Sequence, residues 1–162
     1  MIPTKGLRPA VREASEDDVD SIAVMVARLK TLNEELDPSF RVREDLLDAA
    51  RQYVRTSINS SSVILLVADV GGETVGFIRV ELVDRVFYEP RIKALITDLY
   101  VKPEYRRRGV GKLLLESAIE EARKRGAGII SAVFPEGNVI AKSFYQNLGF
   151  KPLQLELFKP IG

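Results

Sequence analysis

The chain contains no cysteine and no histidine in its 162 residues. Without cysteine there is no disulfide, no thiolate nucleophile and no cysteine-ligated zinc or iron–sulfur site. Without histidine there is no Ser-His-Asp or Cys-His machinery and no H-E-x-x-H metal site. No metal is therefore expected, and any proton transfer falls to Asp, Glu, Lys, Tyr, a terminus or water. Neither sign of charge dominates, with 24 basic against 23 acidic side chains. That balance argues against nucleic acid as a partner, although a local basic patch is compatible with it. No apolar run is long enough to cross a bilayer. Met1 to Lys5 carries no apolar stretch of the secretory kind. No membrane association and a cytoplasmic location are the resulting expectations.

What is present is enough for a core. Forty-six per cent of the residues are apolar, which at this length suits one domain over 1–162. Leu7 to Glu13 reads as a short strand. Ser15 followed by Glu16, Asp17 and Asp18 is an N-cap with an acidic first turn. Val19, Ile22, Ala23, Val26, Leu29 and Leu32 then recur at helical spacing until about Glu34. A second helix is expected from Arg43, broken by Asn59-Ser60-Ser61-Ser62. Val63 to Val70 is a strand-length apolar run, and Gly71-Gly72 signals a hairpin into a partner strand over Thr74–Val83. Asp84 to Lys93 reads as a loop and Ala94 to Val101 as a third strand. A helix follows from Gly109 to a basic last turn and a stop at Gly126. Gly128 to Phe134 is the next strand, Asn138 to Leu148 a short helix, and Phe150 to Phe158 one or two closing strands. The hairpin implies antiparallel pairing. The β-α-β units after residue 94 imply a parallel part with right-handed crossovers. The fold class is therefore α/β (α+β), a mixed, mostly antiparallel central sheet flanked by helices.

The stretch richest in chemistry runs from Leu99 to Glu116. A strand enters a loop of three arginines (Arg106, Arg107, Arg108) and two glycines (Gly109, Gly111), and a helix begins there. First-turn N–H groups have no intrahelical partner and sit at the positive end of the helix dipole. The glycines remove side chains that would keep a ligand off the backbone. Together these features describe an anion site suited to phosphate or pyrophosphate; the bland alternative is a solvated basic turn. A P-loop does not fit, because Arg106 and Leu113 stand where a glycine and a Ser or Thr are required. A dinucleotide fingerprint fails at Leu114.

Arg106-Arg-Arg-Gly-Val-Gly111 resembles the [QR]-x-x-G-x-[GA] signature of GNAT-superfamily N-acetyltransferases. Asp98-Leu-Tyr-Val-Lys-Pro-Glu-Tyr105 is similar to the strand that precedes it in that family. Asn138 to Phe150 matches the later N-x-x-A-x-x-x-Y-x-x-x-G-F segment, and Val11 to Asp18 looks like the family's opening. The resemblance covers residues 7–158 and implies the order β-α-α-β-β-β-α-β-α-β-β. It also implies transfer of acetyl from acetyl-coenzyme A, as co-substrate, to an amine-bearing acceptor, either a small molecule or a protein amine. A coenzyme A-binding regulatory domain without turnover is the alternative. A homodimer is compatible with the family.

Residue by residue, the resemblance puts the coenzyme A pyrophosphate on the backbone of Arg106, Arg107, Arg108, Gly109, Val110, Gly111 and Lys112. The pantetheine arm falls along Leu99, Tyr100 and Val101, and implies that strands 94–101 and 128–134 splay apart. Asn138 is either a pantetheine contact or simply an N-cap. Tyr145 is the matching general acid toward the departing thiolate; its bland reading is a core aromatic beside Phe144. For the base, Asp98 is the first candidate, ahead of Glu81, Glu104, Glu136 or water alone. No cysteine is available for an acetyl-enzyme, so direct attack in a ternary complex is expected. The acceptor pocket is expected between the loop joining the first two helices and the Asp84–Lys93 loop. Glu34, Glu35 and Asp37 there read better as a solvated helix end than as an attractor of cations.

Overall fold

In the computed structural model, residues 8–162 are described. The elements are β1 (Ala10–Glu13), α1 (Val19–Leu36), α2 (Leu46–Ile58), β2 (Val63–Val70), β3 (Glu73–Asp84), β4 (Ile92–Val101), α3 (Val110–Lys124), β5 (Ile129–Ala132) and α4 (Val139–Asn147). The strands form one sheet in the order β1-β2-β3-β4-β5. The first four pair antiparallel and β5 joins β4 in parallel. This is the expected mixed sheet with helices on both faces. Leu7 of the expected first strand lies outside the described residues.

The α1 face buries Val19, Ile22, Met25 and Val26 against Val54 of α2 and Leu65, Val67 and Phe77 of the sheet. The opposite face buries Val110, Leu114, Leu115, Ala118 and Ala122 of α3 against Ile64, Leu66, Ile78, Val80, Ala94 and Ile96. Alternate strand residues thus go to opposite cores, as the period of two requires. Gly76 is needed for close packing inside β3: a Cβ there would stand 2.8 Å from the Tyr100 carbonyl oxygen of β4.

One departure from regular pairing matters for the site. Arg79 faces Asp98 across the β3–β4 ladder, while the next residue, Val80, faces Ile96. Thr97 is therefore an extra residue in β4, a β-bulge. Before it, Ala94 and Ile96 face α3; after it, Leu99 and Val101 do so, and Tyr100 turns to the α1 face. Pairing with β5 also stops here, at Ile96 opposite Ala132.

The expected closing strand over 150–158 is corrected: none forms within this chain. Residues 151–162 have neither helix nor strand, and every one is exposed. Their alternating leucines give a strand pattern, but a strand also needs a neighbouring edge.

The entry to α1 is tied to β1. Arg12 donates through both terminal nitrogens to Asp18, at 2.7 and 2.9 Å. Asp18 in turn accepts the Ser15 N–H at 2.8 Å. The Arg12 hydrogen bond is the main cause that holds the Asp18 carboxyl below its ordinary value. A lowered carboxyl stabilises the fold above its unfolded pKa, and that contribution disappears as pH falls through the folded one. Asp18→Asn should cost about 1–2 kcal/mol at neutral pH, the lower part of the range for charged hydrogen bonds because Arg12 is half exposed. Urea unfolding should show the difference between variant and parent at pH 7 shrinking as the pH approaches 3.

Candidate active site

Parting of β4 from β5 past the bulge opens a cleft of about 60 Å³ through the sheet. Leu29 and Asn33 of α1 line it from one face, and Asn138, Ala141 and Tyr145 from the other. Asp98 and Leu99 of β4 and Val133, Phe134 and Pro135 after β5 form its walls. The splay expected between the two strands is present. On the β5 side, the main chain of β4 beyond Ile96 has no strand partner. Asp98 and Tyr145, far apart in sequence, meet here.

Tyr145 projects from α4 into an aromatic cluster. Its ring stacks on Phe134 (centroids 5.6 Å apart), meets Phe144 edge-on (5.1 Å) and packs on Phe150 (5.1 Å). It is thus both a core aromatic and a cleft residue. Burial, aided by the negative charge of Asp98, pushes its phenol above the usual tyrosine value. The hydroxyl consequently stays protonated through the neutral range, as a proton donor must. Asn138 caps α4, its side-chain oxygen accepting the Ala141 N–H at 3.0 Å. It also lines the cleft.

Asp98 is not a free carboxylate. Its side chain is fully buried, and Lys30 of α1 donates to Oδ1 at 2.6 Å. Tyr53 of α2 and Thr97 donate to Oδ2. Burial, followed by the charge of Asp98, raises the Tyr53 hydroxyl pKa, so it too remains a donor. Beside it, Arg79 lies 4.2 Å over the Tyr53 ring and donates to Ser57 (2.7 Å), Thr97 (3.0 Å) and Glu81 (2.6 Å). Two acids and two bases balance in this network, and their polar atoms are mutually satisfied. Buried ion pairs persist only on such terms.

Sequence reading missed Lys30, Tyr53, Ser57, Arg79 and Thr97 as members of the site. A signal existed. Lys30 follows Ile22 and Val26 at four-residue steps on the buried face of α1, and Arg79 and Asp98 interrupt apolar strands. Of the other acids considered, Glu81 is held by Arg79, while Glu104 and Glu136 are exposed and outside the cleft lining. Glu34 accepts the Val42 N–H and Asp37 the Ser39 N–H, so both serve the turn after α1. The 85–91 loop contributes nothing to the cleft lining; its Pro90 lies against Gly128, at the opposite end of β4.

The loop from Arg106 to Gly109 lies at the C-terminal end of β4, and Tyr105 anchors it. Tyr105 is buried and donates to Glu73 at 2.8 Å. Arg107 has φ 63° and Gly109 φ 78°, the former the one positive φ outside glycine among the described residues. Such turns aim successive N–H groups outward into a concavity for an anion. Gly109 precedes α3 and its carbonyl accepts from Leu113, leaving the N–H groups of Val110, Gly111 and Lys112 without intrahelical acceptors. A Cβ at Gly109 would meet nothing within 4 Å, so the loop is open on that side. The three arginines differ. Arg106 donates to the Val101 carbonyl at 2.8 Å. Arg108 lies over Tyr105, at 5.6 Å. All three are exposed. Among the described residues no cluster of acids is placed to hold a metal, and no helix is long and apolar enough to cross a membrane.

Comparison with known proteins matches residues 29–150 to the model of the acetyltransferase (GNAT) family. The chain belongs to the GNAT family. A relative in Methanocaldococcus jannaschii, named an uncharacterized N-acetyltransferase, is 34% identical over 102 residues. That match covers 63% of this chain and only 45% of the relative's own length. An uncharacterized N-acetyltransferase of Archaeoglobus fulgidus is 27% identical over 136 residues, 83% of this chain and 88% of that one. Among solved structures, a protein of Clostridium acetobutylicum named a predicted acetyltransferase, with acetyl-CoA, superimposes with a TM-score of 0.74 at 18% identity, over 93% of this chain and 96% of that one. The match to the solved structure is one of fold, and the family model is that of acetyltransferases.

The Asp98–Lys30 pair is a point where the fold can be tested. Asp98→Ala leaves Lys30, Tyr53 and Thr97 without their shared acceptor and should destabilise by about 3–5 kcal/mol. Lys30→Met should cost less, because its side chain is about a third exposed and Asp98 keeps two neutral donors. In denaturant titrations the double variant should fall short of the sum of the singles; additive losses would refute the coupling.

Proposed function

We propose that this protein transfers acetyl from acetyl-coenzyme A to an amine by direct attack in a ternary complex. The observation that carries this reading is the convergence of a protonated, buried Tyr145 and an unpaired strand edge in one cleft, beside a loop of outward N–H groups. The amides from Arg106 to Lys112 would hold the pyrophosphate, with Arg107 and Arg108 adding charge around it. The pantetheine arm would run along Leu99 and Tyr100, where β4 lacks a strand on its β5 side, using peptide hydrogen bonds like those of an added strand. Val101 would extend this row, its carbonyl accepting from Arg106 as well.

In the chemical step the neutral amine nitrogen attacks the thioester carbonyl. The carbon–sulfur bond breaks, the thiolate leaves with a proton from the Tyr145 hydroxyl, and the attacking nitrogen, cationic after bond formation, gives up its second proton to water, which returns a proton to the phenolate. A phenol is a weak acid, but its position at the sulfur and its protonated state suit that task. The amine must first lose its own proton. Both Asp98 oxygens already accept from donors and Lys30 pairs with its charge, which favours water as the immediate acceptor. Asp98 would then order that water and contribute charge to the cleft. The acceptor is an amine of a small molecule or of a protein, and coenzyme A enters as co-substrate.

Tyr145→Phe should lower kcat by about 10²-fold, the low end of general acid–base contributions, with coenzyme A affinity changed less than about twofold. Because the phenol pKa is raised, kcat of the parent should not decline with ionisation of this acid until well above pH 10. Free-thiol release across an amine panel tests both statements. Acetyl-coenzyme A binding with no thiol release from any amine would leave the regulatory-domain reading instead.

Gly109→Val isolates the loop. Valine at a positive φ is strained by about 1–2 kcal/mol, and relief of that strain turns the amides away. Calorimetry should find coenzyme A affinity at least about tenfold weaker, since 1.4 kcal/mol corresponds to that factor. Unchanged affinity would place the pyrophosphate elsewhere.

A further inference from the structure

The α1 side of the cleft has a mouth of distinct character. The helix stripe that buries Ile22 and Val26 against the sheet continues, at alternating steps of three and four residues, with Leu29, Asn33 and Leu36. Leu29 and Asn33 line the cleft, and Leu36 at the last turn of α1 is 38% exposed. The turn after β5 faces this stripe. Val133 and Pro135 line the cleft from there, and Val133 is 56% exposed. Gly137 comes so near the end of α1 that a Cβ on it would stand 3.6 Å from the Leu36 carbonyl oxygen. Leu29, Leu36, Val133 and Pro135 thus give the mouth apolar walls, and Asn33 is the one polar side chain that α1 adds to the lining. Apolar walls with a single well-placed polar group are the usual make-up of a small-molecule site.

Charge at this mouth is already balanced. Among the described residues, Asp98 is the one carboxylate in the cleft lining. It is fully buried, holds Lys30 at 2.6 Å and accepts from Tyr53 and Thr97. A further cation brought to it would compete with an ion pair already made. Glu34 and Glu35 leave α1 on other sides, because successive residues are turned by about 100°. Glu34 also accepts the Val42 N–H, and Glu136 is exposed and outside the lining.

We infer that the acceptor is a monoamine with an apolar body, its hydrocarbon lying between the α1 stripe and Val133, and not an amine that carries a second cationic group. The inference rests on the acetyl-transfer reading and adds to it the chemical class of the acceptor. A single amino group enters neutral, with the Asn33 side-chain oxygen accepting one of its N–H bonds, and ends as an uncharged amide. Its hydrocarbon gains by leaving water for Leu29, Leu36 and Val133. A second ammonium on the same chain would meet those side chains instead, stripped of water and without a free carboxylate.

The test compares two acceptors of equal length, hexylamine and hexane-1,6-diamine, which differ by one terminal ammonium. With saturating acetyl-coenzyme A, free-thiol release should give hexylamine a kcat/KM at least about tenfold above that of the diamine, although the diamine offers two amines. Val133→Asp sets a carboxylate at the mouth and should move that ratio toward the diamine by at least about tenfold. Leu36→Glu should move it the same way from α1, and circular dichroism identifies which variant is folded. Calorimetry on the coenzyme A-loaded protein reads binding apart from turnover, and hexylamine should bind more tightly than the diamine. A diamine used as well as hexylamine, or a ratio unmoved in the folded variants, overturns the inference and leaves acetyl transfer standing. Hexylamine bound in preference, with no thiol released from any amine, supports the apolar mouth and overturns transfer. Hexylamine neither bound nor acetylated overturns the inference.

Discussion

A single extra residue in β4, Thr97, sets the arrangement on which the site depends. A strand alternates its faces strictly, so one inserted residue exchanges the destinations of all that follow. Upstream, Ala94 and Ile96 pack toward α3; downstream, Asp98 meets α1 and α2 while Leu99 and Val101 take the α3 side. The same point ends the pairing with β5. The bulge thus opens the sheet, leaves a row of main-chain groups unpaired and delivers a carboxylate to the cleft wall.

That carboxylate would be costly to bury alone. Lys30 meets it from α1, Tyr53 from α2 and Thr97 from its own strand. Arg79 and Glu81 of β3 and Ser57 of α2 extend the network. Both helices are thereby fixed over the splayed strands by polar bonds as well as by their apolar stripes. Tyr145 approaches from the other face, held by three aromatic neighbours, and feels the charge of Asp98. The cleft is where the two layers of the fold communicate.

The loop at the end of β4 has a different origin. Its conformation is largely local, with positive φ at Arg107 and Gly109 and a helix beginning at Val110, and one long-range tether from Tyr105 to Glu73 holds it. Such a loop works wherever a strand meets a helix in this order. Its relation to the cleft is supplied by β4, which carries both.

Much of this was legible in the residues. Apolar spacing marks α1, α2, α3 and the central strands, Gly71-Gly72 marks the hairpin, and the Arg-Gly loop between strand and helix marks an anion site. These features are local, governed by neighbours within a turn or a strand. Asn138 as a helix cap and Tyr145 as an aromatic were equally local readings. The ion-pair network was not legible, because Lys30, Tyr53, Arg79 and Asp98 belong to four separate elements, and only packing brings them together. Nor was the bulge, which exists in the register between two strands and not in either alone. The closing strand marks the boundary most plainly. Periodicity in 150–158 establishes a capacity to form a strand, whereas strand formation requires an edge to bond with, and no edge within its own chain receives it.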